Sequence, residues 1–206
     1  MPRIRSFARW MITSTLPLMG LSVFLNVVLA TRVLTLDRRI AAIQADGELQ
    51  PGTKVDAFIG SSIDGETATV SFADSSLPTV LYVMRPSCVW CKRNESNLRS
   101  LAEQAPGRYR LLMLSLDSNG LKEYQQEHNV SIPIVTDIPG SARDQFMMGG
   151  TPQTTMVSPT GVVLHNWMGF YNSKTGRQIS ATLGVALPGL DADAPSQLSA
   201  KDPEGR

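Results

Sequence analysis

The two cysteines of this 206-residue chain stand three positions apart, as Cys88 and Cys91 in the segment PSCVWC. With a single pair available, a small fold held together by several disulfides is excluded. A bridge between these two would close a very short loop, and short loops gain least from cross-linking. The fold must therefore rest on an apolar core, and the pair is better suited to chemistry than to stabilisation.

Apolar runs alternate with helical patterns from about Lys54 onwards, which predicts an α/β fold with a sheet flanked by helices. The run TVLYVM, Thr79–Met84, is typical of a buried central strand. The other strands are predicted at Ala68–Phe72, Tyr109–Leu116, Ile132–Thr136, Gln153–Val157 and Val162–Met168. Three helices are predicted at Cys91–Gln104, Ser141–Met148 and Asn172–Leu187. A fourth is predicted to begin at a cap residue, Asp117 or Ser118, and to end at about His128. A turn at Ser158–Gly161 should join the last two strands, and Asn129 should end its helix in the left-handed conformation.

The N-terminal region predicts a membrane anchor. The 21 residues from Trp10 to Ala30 carry no charge, and a helix of that length just spans a hydrocarbon layer of about 30 Å. Arginines precede it within residues 1–9, so the positive-inside rule favours a cytoplasmic N-terminus and export of the rest. Two alternatives stay open, a signal peptide cleaved near Ala30 and a buried core helix.

The remaining boundaries follow from composition. Residues 31–53 are predicted to be a stalk or linker that glycine and proline end, residues 54–187 the folded domain, and residues 188–206 a disordered tail poor in apolar side chains. The formal charge is +1, with no basic stripe along the chain. Nucleic acid is therefore excluded as an expected partner.

The cysteine pair falls where the strand Thr79–Met84 gives way to a helix. A thiolate is the attacking species in disulfide exchange, and a helix N-terminus with Lys92 and Arg93 nearby favours negative charge. This position predicts Cys88 as the nucleophile and Cys91, one turn later, as the cysteine that resolves a mixed disulfide. Two alternatives are inert thiols and half of a zinc site, although His128 and His165 form no ligand pattern with the pair. No metal or bound cofactor is expected, and the Cys88–Cys91 disulfide would be the redox group.

A second candidate element is Thr151-Pro152, which opens a predicted strand after two glycines. A cis bond there would leave the backbone of Thr151 free to pair with an extended substrate, whereas a trans loop proline is equally compatible with the spacing. We assign Thr151, Pro152 and Trp90 as substrate-binding residues. His165, Trp167 and Tyr171 are expected to be packing or surface residues.

A strand, a CxxC that opens a helix, and a Thr-Pro about sixty residues later before a hairpin together resemble the thioredoxin superfamily. The closest resemblance is to membrane-anchored TlpA/ResA-like thiol-disulfide oxidoreductases, over roughly Lys54 to Leu187. The resemblance implies a thioredoxin-like fold, a central mixed sheet with helices on both faces, preceded by one transmembrane helix. It also implies that Cys88 is the exposed nucleophile, Cys91 its partner and Pro152 a cis proline.

Four positions depart from that family's pattern. Ser87 replaces a Trp before the first cysteine, Trp90 replaces a Pro inside the motif, Tyr82 replaces a buried Asp, and Asn94 replaces an acid three residues after the second cysteine. Those acids are thought to move the proton of the resolving thiol. Glu95 is a possible substitute in proton transfer if its side chain turns toward the sulfur, and otherwise a solvated carboxylate.

The expected function is a thiol-disulfide oxidoreductase in the cytoplasmic membrane, with its catalytic domain outside the cytoplasm. Expected partners are client proteins with disulfides, as in cytochrome c maturation, and a membrane protein that donates electrons. Two alternatives are a peroxiredoxin, which would carry Thr or Ser where this chain has Arg85, and a non-catalytic docking module.

Overall fold

The computed structural model describes residues 19, 21–35 and 47–188. Residues 21–35 are helical with exposed side chains, and a separate compact unit begins at Leu49. Within the described ranges no helix is both long and apolar enough to cross a membrane. Residues 1–18 and 20, which hold much of the predicted anchor, lie outside the described residues, as do 36–46 of the predicted stalk and 189–206 of the predicted tail.

Seven strands form one mixed sheet in the order β2-β1-β5-β4-β3-β6-β7. Their bounds are β1 Phe58–Ser62, β2 Thr67–Val70, β3 Thr79–Met84, β4 Arg110–Ser115, β5 Ile134–Thr136, β6 Gln153–Val157 and β7 Val163–Met168. β3, β4 and β5 run parallel, whereas β6 pairs antiparallel with β3 and β7 pairs antiparallel with β6. The carboxyl end of β3 therefore lies beside the start of β6, which brings together the two segments that carry the predicted site.

Five helices cover the sheet in the described domain. Their bounds are α1 Val89–Lys92, α2 Glu95–Gln104, α3 Leu121–Glu127, α4 Gly140–Gln145 and α5 Ser173–Leu183. α2, α3 and α5 bury Leu98, Tyr124 and Ile179 in one core, whereas Ala142 of α4 lies in a second core. The predicted mixed sheet with helices on both faces is confirmed.

β3 separates the two cores and belongs to both. All six of its residues are buried, with Val80, Tyr82 and Met84 in the first core and Leu81 and Val83 in the second. This alternation follows from the two-residue period of a strand whose faces are both covered. The site is thus held by the most deeply buried strand of the sheet.

The structure corrects three predicted elements. Strand β1 was not predicted, because FIGSS lacks a run of β-branched side chains. The predicted helix Cys91–Gln104 is two helices separated by a turn at Arg93 and Asn94. The predicted cap at Asp117 or Ser118 is wrong, since Gly120 precedes α3 with a φ of 71° and Asp117 accepts a hydrogen bond from the Asn119 amide instead.

Two predicted turns are confirmed. The Gly161 amide donates to the carbonyl of Ser158 at 2.9 Å, which closes the hairpin between β6 and β7. Asn129 follows α3 with a φ of 47°, in the left-handed region.

Gly60 allows β1 to approach β5, and this close approach generates a prediction. A Cβ at this position would lie 2.5 Å from the carbonyl oxygen of Thr136 and 2.7 Å from Cγ1 of Val135. We expect Gly60→Ala to lower the free energy of unfolding by about 2 to 4 kcal/mol, since a backbone atom must shift. Denaturant unfolding would measure the change.

Gly140→Ala is the matched control for this substitution. Gly140 is exposed, and an added Cβ meets nothing within 4 Å. The control should change stability by less than about 1 kcal/mol. Equal effects of the two substitutions would contradict the close-approach argument.

Candidate functional site

Cys88 and Cys91 form a disulfide at the start of α1, with their Cα atoms 5.2 Å apart. Cys88 is the N-cap residue, and its sulfur accepts a hydrogen bond from the Cys91 amide at 3.1 Å. Cys88 is half-buried, whereas Cys91 is fully buried. An incoming sulfur can therefore reach Cys88 and not Cys91, which is the asymmetry that an attacking and a resolving cysteine require.

The Thr151–Pro152 peptide bond is cis, so the cis alternative left open by the sequence is confirmed. Pro152 is buried and Thr151 half-buried, and the Pro152 carbonyl accepts a hydrogen bond from the Gly169 amide at 2.8 Å. This bond connects the start of β6 to the residue that follows β7. The two loops therefore form a single wall beside α1.

An open groove of about 250 Å³ runs along this wall. It brings together the three predicted substrate-binding residues Trp90, Thr151 and Pro152. Sequence reasoning missed the rest of its lining, which comes from the last residue of β7 and the loop after it: Met168, Gly169, Phe170 and Asn172. The signal available in the sequence was a glycine followed by two aromatic residues at the end of a hairpin.

Trp90 holds one side of the groove through two contacts. Its ring stacks on Phe170 with centroids 5.5 Å apart and an interplanar angle of 26°. The Arg93 guanidinium lies 4.5 Å from the Trp90 ring centroid, within the range of a cation–π interaction. Trp90 therefore replaces the usual proline of the motif with an aromatic surface that faces the groove.

A buried polar network lies behind the disulfide. The Asn94 amide nitrogen donates to the Tyr82 hydroxyl at 3.2 Å, and the Asn94 carbonyl oxygen accepts from the Tyr171 backbone amide at 2.9 Å. The Tyr171 hydroxyl pairs with that of Thr154 at 2.8 Å. All four residues are buried, and Tyr171 is a packing residue of the first core, as expected.

The network contains no carboxylate. Burial raises the pKa of Tyr82 well above its ordinary value, and burial likewise raises the pKa of Tyr171. Both phenols are therefore neutral at physiological pH. Tyr82 and Asn94, two of the four departures from the family pattern, are direct hydrogen-bond partners of each other.

Glu95 makes a different contact from the one that proton transfer to sulfur would need. Its carboxylate lies 2.8 Å from Nδ1 of His128, at the end of α3, and both side chains are half-buried. The solvated alternative describes the side chain in part, because it is 31% exposed and also contacts the imidazole. A role for Glu95 in proton transfer stays a prediction. In the described ranges no group of three or more His, Cys, Asp or Glu could hold a metal ion.

The Asn94 network generates a prediction about stability. Asn94→Ala leaves the Tyr171 amide and the Tyr82 hydroxyl without these partners in a buried site, which should cost about 2 to 4 kcal/mol of unfolding free energy. Tyr82→Phe removes one bond and keeps the shape of the ring, so it should cost about 1 to 2 kcal/mol. Denaturant unfolding of both variants and the double variant measures the coupling. Strictly additive costs would contradict a direct bond between the two side chains.

The buried tyrosines also predict how stability depends on pH. Burial raises the pKa of Tyr124 to about 12, above the ordinary value of 10.0 that applies in the unfolded chain. A raised folded-state pKa gives stability that is complete below pH 10 and is lost as the pH rises from 10 through 12. Unfolding free energies at pH 8, 10 and 11.5 should therefore fall, and the decline should be smaller in Tyr124→Phe. The same decline in both proteins would refute this origin.

Comparison with known proteins supports the fold. No protein-family model matches the chain. A curated "Thioredoxin-like protein" from Haemophilus influenzae is 22% identical over 142 residues, which cover 68% of this chain and 78% of that protein. The thioredoxin domain of a thiol-disulfide oxidoreductase from Bacteroides vulgatus matches with a TM-score of 0.54 at 14% identity, covering 66% of this chain and 99% of that one.

A peroxidoxin, BcpB from Mycobacterium tuberculosis, matches as well, with a TM-score of 0.55 at 19% identity over 66% of this chain and 97% of that one. Likeness at this level of identity establishes the fold, which several activities share. The chain therefore has a thioredoxin fold with a CxxC disulfide at the start of α1, and the thioredoxin-like fold that the sequence resemblance implies is confirmed.

Proposed function

We propose that this protein is a thiol-disulfide oxidoreductase that reduces disulfides in client proteins through Cys88 and Cys91. The observation that carries the proposal is the asymmetric pair at the start of α1, with Cys88 half-buried beside the groove and Cys91 fully buried behind it. A disulfide that closes so short a loop would add little to the stability of the fold, so a purely structural role is disfavoured. A half-buried first sulfur that a client can reach has a direct use in exchange chemistry.

The proposed reaction has two steps. The Cys88 thiolate attacks one sulfur of a client disulfide, which forms a Cys88–client bond, breaks the client bond and releases one client thiolate that takes up a proton. Cys91, as thiolate, then attacks the Cys88 sulfur, forms the Cys88–Cys91 disulfide and releases the second client thiolate. Two electrons pass to the client, and the protein ends in the oxidised form that the structure contains.

The groove would hold the client during the first step. The backbone of Thr151, next to the cis peptide bond, is available to an extended chain, because β-strand addition uses such free backbone groups. Trp90 and Phe170 would pack against client side chains near the attacked sulfur. This geometry is consistent with protein clients more than with a small oxidant.

The location and electron supply are parts of the same proposal. The uncharged stretch Trp10–Ala30, with arginines before it, supports a single span with the domain outside the cytoplasm. In that location reducing equivalents must come through the membrane, so a membrane protein with an exposed dithiol is the proposed donor. Clients would be exported proteins whose cysteines must be reduced, such as those that bind cytochrome c haem.

Substitution of either cysteine tests the proposed function. Cys88→Ser should abolish reduction of insulin disulfides, because no sulfur remains for the client to reach. Cys91→Ser should still attack but should accumulate as a mixed disulfide, because nothing resolves it. Turbidity during insulin reduction and mass spectrometry of trapped adducts measure the two results.

Ser118→Ala, at an exposed position in the loop before α3, is a control that should leave insulin reduction unchanged. Full activity of Cys88→Ser would overturn the proposal. So would rapid consumption of hydrogen peroxide by a protein that does not reduce insulin, since that result identifies a peroxide reductase. Absence of any thiol-dependent activity would indicate a docking module.

A further inference from the structure

The groove presents apolar side chains to solvent beside the nucleophile. Trp90 is 50% exposed and Val89 65% exposed, although both lie between the two cysteines. Met168 and Phe170 extend the apolar surface along the opposite wall. Exposed apolar side chains that cluster beside a reactive sulfur are typical of a surface that contacts a partner.

Positive charge borders this apolar surface, and no acid lies in the two segments that contain the groove residues. The two segments that form the groove, residues 85–94 and 146–178, contain no Asp or Glu, although the whole chain has 18 of them. The same segments contain five cationic side chains, which are Arg85, Lys92, Arg93, Lys174 and Arg177. Among the described residues none of the five makes an ion pair, and Arg93 instead covers the Trp90 ring.

Three acids of the described domain lie near this edge of the sheet: Glu95, which begins α2 and contacts His128, and Asp117 and Asp137, which follow β4 and β5. The strand order places β4 and β5 on one side of β3 and the groove strands β6 and β7 on the other. With about 4.8 Å between neighbouring strands, β4 and β5 lie roughly 10 Å and roughly 14 Å from β6, beyond a Debye length of about 8 Å at physiological salt. Arg143 also donates to the carbonyls of Ile138 and Leu116 between those strand ends, so positive charge is present there too.

We propose that the client segment that this groove accepts is acidic, with an apolar side chain next to its reactive cysteine. The inference rests on the proposed function and deepens it by naming the substrate class. The apolar side chain would pack between Trp90 and Phe170, and carboxylates on either side would meet Arg85, Lys92, Arg93 and Lys174. Charge complementarity of this kind accelerates encounter and excludes clients of the opposite sign.

Three cyclic peptides with the same intramolecular disulfide test the inference. One has Leu beside a cysteine and Glu in its flanks, the second has Leu with Lys flanks, and the third has Gly with Glu flanks. Pre-reduced full-length protein is mixed in excess with each peptide, and the reduced peptide is quantified by alkylation and chromatography. Rate ratios between peptides are compared, because a substitution that alters Cys88 reactivity changes all three rates together.

We expect the Leu-Glu peptide to be reduced about tenfold faster than the Leu-Lys peptide at low ionic strength. The ratio should approach one in about 0.5 M NaCl, because salt screens exposed charges. The double variant Lys92→Glu with Arg93→Glu should remove or invert the preference. Trp90→Ala should remove the advantage of Leu over Gly.

Lys122→Glu is the matched control, because Lys122 is exposed on α3 and its only ion pair within the described part of the chain, to Asp64, is a weak one at 4.0 Å. This charge reversal should leave the rate ratios unchanged. Equal rates for the two Leu peptides at low salt, or a preference for Lys, would overturn the inference while leaving the proposed function intact. Failure to reduce any peptide or insulin would remove the proposed function, and the inference with it.

Discussion

The side-chain amide of Asn94 holds together the three segments that make the candidate site. It donates to Tyr82 on the central strand and accepts from the backbone of Tyr171 in the loop after β7. Its own backbone lies in the turn between α1 and α2, just after the disulfide. Since Phe170 directly precedes Tyr171, the second bond also fixes the residue on which Trp90 stacks. One buried side chain therefore sets the position of the groove relative to the sulfurs.

This network is neutral where the resembled family uses acids. Among the described residues no carboxylate is buried, and the phenols of Tyr82 and Tyr171 have pKa values raised by burial. A neutral amide and phenol can hold hydrogen bonds in an apolar core without the desolvation cost of an ion. No buried carboxylate among the described residues is therefore present to accept the proton of Cys91. Tyr82 and Asn94, which replace the acids, hold the surrounding segments in place and do not exchange protons at physiological pH.

The elements that the sequence predicted well are those determined by local patterns. Thr79–Met84 has the bounds of β3, because a strand buried on both faces reads as one apolar run. The break between α1 and α2 could not be predicted from the local sequence. The hydrogen-bond partners of the Asn94 side chain, Tyr82 and Tyr171, are 12 and 77 residues away along the chain. The contact between Trp90 and Phe170 and the cis state of Pro152 likewise depend on how β6 and β7 pack beside α1. Chemistry could be placed on Cys88 and Cys91 by spacing, but the groove required the tertiary structure.

The break at Asn94 also changes how a thiolate at Cys88 can be stabilised. The sequence predicted one long helix from Cys91, whose aligned peptide dipoles would favour negative charge at its start. α1 has only four residues, and the turn at Arg93 and Asn94 separates it from α2. What remains in the structure is the Cys91 amide, 3.1 Å from the Cys88 sulfur, together with the positive charges of Lys92 and Arg93. Arg93 also lies against Trp90 of the groove, so under the proposed function the activation of Cys88 and the attraction of an acidic client would depend on the same charges. Reversing the charges of Lys92 and Arg93 would then change the client preference and weaken the attacking sulfur together.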